Sequence, residues 1–263
     1  MILSPIGRFN LTHDSPRNEF TDRPLLATEI LGVALSEPGL GLFGTVPVGS
    51  GGRVTYEAYG VNGFNDGVLR AAQEGTRIPA GRGNLEDNNR SPAVVGRITY
   101  GPSDAVEVGI SLHHGSYNES AAEGLDLDDK RSVTLRALDL DAEVAGFRIS
   151  AEVANASVDL PESLPGLFAS EQRGATLDVI RDFGRGWIRT VPGAFFSVGV
   201  RLEAIDLDAD LDGDSVRQFT LGLNFRPSAE SVLKLDYVRG RSFDRFNNAG
   251  DHAGLQLSLA TYF

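Results

Sequence analysis

The chain contains no cysteine. Disulfide scaffolds, thiolate metal centres and cysteine nucleophiles are therefore excluded. Positive charge is in deficit as well, with 24 Lys and Arg against 36 Asp and Glu and a net charge of −12. The pI near 4.8 argues against a general nucleic-acid binder, which needs a basic patch for phosphates. No run of about 18 consecutive apolar residues occurs, which excludes a transmembrane helix and leaves membrane strands open. The start, Met1-Ile2-Leu3-Ser4-Pro5, lacks the basic, apolar and small-residue zones of a secretory signal, so read literally the chain would not be exported. Helical periodicity is scarce too, and only Asp66 to Gly75 (DGVLRAAQEG) reads as a short helix.

What is present is period-two alternation. With 41% apolar residues, 31 Gly and 12 Pro, the 263 residues suit one ordered, turn-rich domain spanning 1–263. In the last segment Leu255, Leu257, Leu259, Thr261 and Phe263 share one face, against Gln256, Ser258, Ala260 and Tyr262. Leu233, Leu235 and Tyr237 oppose Lys234 and Asp236, and Phe219, Leu221, Leu223 and Phe225 oppose Thr220, Gly222, Asn224 and Arg226. Phe196, Val198, Val200 and Leu202 alternate with Ser197, Gly199, Arg201 and Glu203, and Leu177 and Val179 with Thr176 and Asp178. Phe147, Ile149, Ala151 and Val153 face away from Arg148, Ser150 and Glu152. Leu138, Leu140, Ala142 and Val144 face away from Asp139, Asp141 and Glu143. Val106, Val108, Ile110 and Leu112 oppose Glu107, Gly109, Ser111 and His113, after a strand carrying Arg97, Ile98, Thr99 and Tyr100. Val54, Tyr56 and Ala58 oppose Arg53, Thr55 and Glu57, preceded by Gly39 to Val46 and by Ile6 to Leu11. The pattern predicts about twelve strands.

The connectors alternate in length. Short turns fall at 47–52, 101–104, 145–146 and 227–230, and long polar loops at 62–91, 115–131, 206–215 and 240–253, with 184–193 the exception. A soluble sandwich also alternates apolar and polar faces, but it mixes its loop lengths. Segments of roughly 10 residues, trimmed at one end and elaborated at the other, predict an all-β, antiparallel transmembrane β-barrel meander. The alternative class is a secreted or surface β-sandwich that binds glycans or protein through its long loops.

The runs LGLNFRPSAESVLKLDYVRG and GLQLSLATYF resemble the last strands of bacterial outer-membrane porins of the phosphate-selective porin-like superfamily. LSPIGRFNLTHDSP, SEPGLGLFG, TYEAYGVNGFNDG, GRITYGP and VEVGISLHHGSYN are similar to the middle of such porins. The resemblance implies an outer-membrane location and passive diffusion of small hydrophilic solutes or ions through a water-filled lumen. It implies the lipid bilayer and the outer-membrane assembly machinery as partners, allows a homotrimer, and needs no cofactor or nucleic acid. Leu255, Leu257, Leu259 and Phe263 resemble the signal that the assembly machinery reads. Such porins begin with a signal peptide and further strands, so the resemblance would make this chain a fragment of a larger barrel of about 16 to 18 strands.

The residues expected to line the pore are Arg53, Arg97, Arg148, Arg201 and Lys234, with Glu57, Glu107, Asp139, Asp141, Glu143, Glu152, Asp178, Glu203 and Asp236. Acidic groups outnumber basic ones there, which favours cations although the resemblance implies a lumen rich in Lys and Arg. The 62–91 connector, with Arg70, Glu74, Arg77, Arg82, Glu86 and Asp87, is expected to fold into or over the lumen and narrow it. Asp208, Asp210 and Asp212 match the start of a calcium loop, but Phe219 stands where the closing carboxylate belongs, so a solvated acidic loop is the better reading and weak calcium binding the lesser. His13, His113, His114 and His252 show no ligand spacing and read as loop or lumen residues. Gly49-Ser50-Gly51-Gly52 reads as a hairpin turn, and no catalytic residue is named.

Overall fold

The computed structural model describes residues 1–69, 75–83, 89–122, 125–162, 164 and 166–262. Eleven strands form one antiparallel sheet in strict chain order. They are β1 Gly39–Val48, β2 Gly52–Val61, β3 Ala93–Ser103, β4 Val106–Ser116, β5 Ser132–Val144, β6 Phe147–Val158, β7 Glu171–Phe183, β8 Phe195–Asp206, β9 Ser215–Ser228, β10 Ser231–Phe243 and β11 Ala249–Thr261. The fold is an all-β antiparallel meander of eleven consecutive strands. Every hairpin at one end is short except β7 to β8, because Gly49 and Gly51 (φ 61° and 112°) and Ala145-Gly146 (φ 51° and 76°) adopt the left-handed conformations that tight turns need.

Alternation decides which side chains leave the sheet on which face. On β9, Phe219, Leu221 and Leu223 are exposed on the convex side, while Thr220, Asn224 and Arg226 are buried on the concave side. On β11, Leu255, Leu257 and Leu259 are 75%, 70% and 72% exposed. A water-soluble sandwich would bury that apolar face against a second sheet. Among the described residues the only other sheets are two-residue ladders, Ile2–Leu3 with Ser36–Glu37 and Ala121–Ala122 with Leu125–Asp126, so the sandwich alternative fails. β1 and β11 run in the same direction, and neither pairs with a further strand among the described residues.

Two local expectations are corrected. Ile6 to Leu11 is no strand: Phe9–Leu11 forms one 3-10 turn on the concave side, so the meander has eleven strands. Within the described part of Asp66 to Gly75, Asp66–Val68 is a 3-10 turn rather than the start of an α-helix, capped where the Asn65 side chain accepts the Gly67 amide. Residues 70–74 lie outside the described residues, and Gly75 takes a positive φ of 65° that ends any helix.

Candidate functional site

The concave face carries the charge ladder, and residues 1–38 run across it. Glu19 is the focus. Its carboxylate accepts hydrogen bonds from Arg148 at 2.9 Å, Arg226 at 3.0 Å, the Ser197 hydroxyl at 2.7 Å and Asn224 at 2.8 Å. Burial disfavours the charge, but the guanidinium groups of Arg148 and Arg226 and the Ser197 hydroxyl outweigh it and hold the Glu19 carboxyl below its ordinary 4.5.

The rest of the ladder grips the same segment, mostly by its backbone. Fully buried Lys234 donates to the carbonyls of Ser15 at 2.8 Å and Phe20 at 3.0 Å. Asp236 accepts the Thr21 amide at 2.6 Å, and Glu203 the Leu25 amide at 2.7 Å. Glu152 accepts the amides of Arg8 and Phe9 at 3.1 and 3.2 Å. Arg201 forks onto Asp178 at 2.8 and 2.7 Å, donates to the Asp22 carbonyl at 2.9 Å, and stacks 4.4 Å from the Phe20 ring. Arg8 reaches back to Asp141 at 2.7 Å and Glu107 at 4.0 Å. Phe20 sits against two glycines paired across β8 and β9, Gly199 and Gly222, where an added Cβ would lie 3.0 and 3.1 Å from its ring.

The expected pore-lining residues thus share one face, but the water-lined ladder is corrected to a protein-lined one. Unpaired charges on a buried wall are costly, and the amides and carbonyls of residues 1–38 satisfy them. Part of the ladder also closes on itself: besides Arg201 on Asp178, Arg148 meets Asp182 at 2.9 Å, Arg97 forks onto Asp139 at 2.5 and 2.6 Å, Arg53 meets Asp104 and Glu107, and Glu57 accepts the Tyr59 hydroxyl at 3.0 Å. Glu143 stands exposed at the short-turn rim. A cavity of ≈ 400 Å³ remains beside the segment, lined by Arg8, Arg17, Glu19, Asp141, Arg148 and Asp178 among others.

Towards the long-loop end the inner wall turns apolar. Val133, Leu135, Ala154, Ala156 and Ile205 pack with Leu26, Ile30 and Leu31 of a π-helical turn, Leu26–Leu31, and with Phe64, Val68 and Ile78 from the 62–91 connector. Arg82 donates to the Val33 carbonyl at 2.9 Å, and Arg77 lies 3.5 Å from Asp214. The described part of this connector is therefore held inward by apolar packing rather than by solvated charge. Arg70, Glu74, Glu86 and Asp87 lie outside the described residues.

Glu37 forms a second buried anchor. It meets His113 at 3.3 Å, accepts the Gly63 amide at 3.0 Å, and takes the Ser4 hydroxyl. Burial opposes its ionisation, but the bonds from His113, Ser4 and Gly63 leave its carboxyl below 4.5. In the acidic loop, Asp210 accepts the Ser170 amide and hydroxyl at 2.9 and 2.8 Å, and Asp208 is buried 3.6 Å from Arg245. Burial raises the Asp208 carboxyl. Asp212 is exposed. Asp210 and Asp212 thus stay exposed, as a solvated acidic loop requires, whereas Asp208 is buried, and no three His, Asp or Glu among the described residues converge as ligands, so the weak calcium reading has no support. Leu255, Leu257 and Leu259 point outward, and Phe263 lies outside the described residues.

The sequence reading missed residues 1–38 as an occupant of the lumen. Two signals carried it: the apolar run from Leu25 to Leu35, unlike a loop, and the inward positions Val133, Leu135 and Ile205, which are apolar where a wet lumen needs polar groups.

No family model matches the chain. An uncharacterized protein of Aquifex aeolicus (strain VF5) is 27% identical over 271 residues, covering 94% of this chain and 58% of that protein. The chain thus spans 58% of the length of this curated relative. Among solved structures, LpxR from Salmonella typhimurium aligns over 86% of this chain and 88% of its own, at 11% identity and a TM-score of 0.30.

Proposed function

We propose that the protein is a gated outer-membrane channel, a β-barrel that passes small hydrophilic solutes or ions when residues 1–38 withdraw from the wall. The observation that carries this reading is how the segment is held: near the short-turn end, ladder charges grip its backbone amides and carbonyls. Such bonds exchange for water at a net cost of about 1.5–3 kcal/mol each and include none of the wall's own strand-to-strand bonds, so the segment can leave without the wall unfolding. The polar cavity beside it is a ready vestibule. The apolar outer band, the contrast between trimmed turns and long loops, and the porin-like resemblance support the outer-membrane placement. Once bared, the acidic excess of the ladder favours cations. Because β1 and β11 are parallel to one another, all-antiparallel closure takes an odd number of further strands, as a barrel of about 16 or 18 would supply.

Acid is the expected opener. Glu19 and Glu37 both have carboxyls held below 4.5, so each adds stability that is present above that value and lost as pH falls through its lower folded value. In planar bilayers, conductance is expected to be low at neutral pH and to rise below 4.5. Glu19→Gln should show raised conductance already at neutral pH. Equal conductance at neutral and acidic pH contradicts the gate, and none at either contradicts the channel.

A further inference from the structure

The outer wall carries charge at one edge of its apolar band. On β9 the outward series Phe225, Leu223, Leu221, Phe219 ends in Arg217, and on β10 the series Leu233, Leu235, Tyr237 ends in Arg239 and Arg241. The register sets Arg217 directly opposite Arg241 and Phe219 opposite Arg239, so three guanidinium groups share one exposed patch. Like charges directly opposite on a sheet destabilise it. Asp251 takes Arg241 in a 2.6 Å pair, whereas Arg217 and Arg239 make no hydrogen bond or salt bridge among the described residues.

The patch has a defined level on the wall. Eight residues at about 3.3 Å each, on a strand tilted about 40°, separate Arg217 from Phe225 by about 20 Å of height, most of an apolar band about 25 Å tall. Phe225 belongs to an aromatic cluster with Phe196, Phe183 and Trp187 at the short-turn edge, the composition of a membrane-interface girdle. Arg217, Arg239 and Arg241 therefore stand at the opposite interface, on the long-loop side. Arg136 and Arg173 share that edge, but Arg136 donates to Asn155 and Ser157, and Arg173 pairs with Asp206 at 3.0 Å.

We propose that Arg217, Arg239 and Arg241 form an outward-facing site for the phosphate of anionic lipid headgroups in the leaflet at the long-loop end. Guanidinium groups bind phosphate oxygens through paired, charge-assisted hydrogen bonds. Asp251 holds Arg241 through both Nε and Nη2, at 2.6 and 3.0 Å, so the phosphate is seated chiefly between Arg217 and Arg239, the two guanidinium groups left unpaired, with Arg241 at the side of the site. This assignment rests on the membrane-barrel reading.

The test uses the full chain, R217Q/R239Q and R217K/R239K, with phosphatidylcholine vesicles alone or supplemented with phosphatidic acid. Flotation with phosphatidylcholine vesicles reports insertion, and failure of the unaltered chain to float overturns the barrel reading itself. Titration of phosphatidic acid into the detergent-solubilised proteins reports the site. The unaltered chain is expected to bind, with R217Q/R239Q at least about tenfold weaker and R217K/R239K retaining most of the affinity. Equal binding by the unaltered chain and a floating R217Q/R239Q overturns the proposal. Competition by inorganic phosphate at the same concentrations overturns the lipid assignment in favour of a free-anion site.

Discussion

Gly222→Val is expected to open the lumen. A Cβ at this position would lie 2.7 Å from Asp236 Oδ1 and 3.1 Å from the Phe20 ring, and valine adds two methyl groups beyond it. Overpacking alone costs about 1–3 kcal/mol. Here the strain falls on the residue whose carbonyl accepts from Lys234, whose ring stacks on Arg201, and whose neighbour Thr21 is held by Asp236. Moving Phe20 breaks these contacts together, with no change in charge. Single-channel recordings at neutral pH should show large open steps for Gly222→Val where the unaltered chain stays closed. Gly254→Val is the control, because a Cβ there meets nothing within 4 Å. A closed Gly222→Val channel in a correctly inserted protein would remove Phe20 as the latch.

Glu19→Ala is expected to be the most destabilising single change in residues 1–38. It strips the carboxylate from Arg226, which is 6% exposed, and from Arg148, leaving buried positive charge beside Lys234. Removing one partner of a buried ion pair costs about 3–5 kcal/mol. Urea unfolding should register that loss. The deficit should shrink as pH falls through the carboxyl's folded value, because there the unaltered chain loses the same charge. A loss below about 1 kcal/mol, the size of an exposed pair, would mean that Glu19 is not buried against these arginines.

Much of this architecture was legible from alternation alone. The faces of β9, β10 and β11 follow from Phe219, Leu235 and Leu257 set against Thr220, Lys234 and Gln256, since a period of two admits one orientation once one face must meet lipid. The hairpin at Ala145-Gly146 was legible too, because two residues leave no other connection between β5 and β6. What the inward charges face was not. Glu152, Glu203 and Asp236 carry the same local pattern whether they meet water or the amides of Arg8, Leu25 and Thr21, which lie 144, 178 and 215 residues away along the chain. Local periodicity holds no information about a partner that distant. Ile6 to Leu11 misled for a related reason: Ser4 to Gly7 are buried in succession, as a segment packed on both sides is, whereas a paired strand would alternate.

Side-chain environment in a bilayer decides between this arrangement and any other, and a chain without cysteine suits single-cysteine labelling. Leu221→Cys and Leu235→Cys, reconstituted in vesicles, should resist a water-soluble maleimide, because a thiol facing hydrocarbon stays protonated, and should react with it once the protein is unfolded. Thr220→Cys, pointing inward, should resist the reagent until Gly222→Val is added, and then react in the intact vesicle. Rapid water-soluble labelling of Leu221→Cys and Leu235→Cys, or of Thr220→Cys with residues 1–38 in place, would contradict a lipid-facing wall whose inner face is covered by residues 1–38.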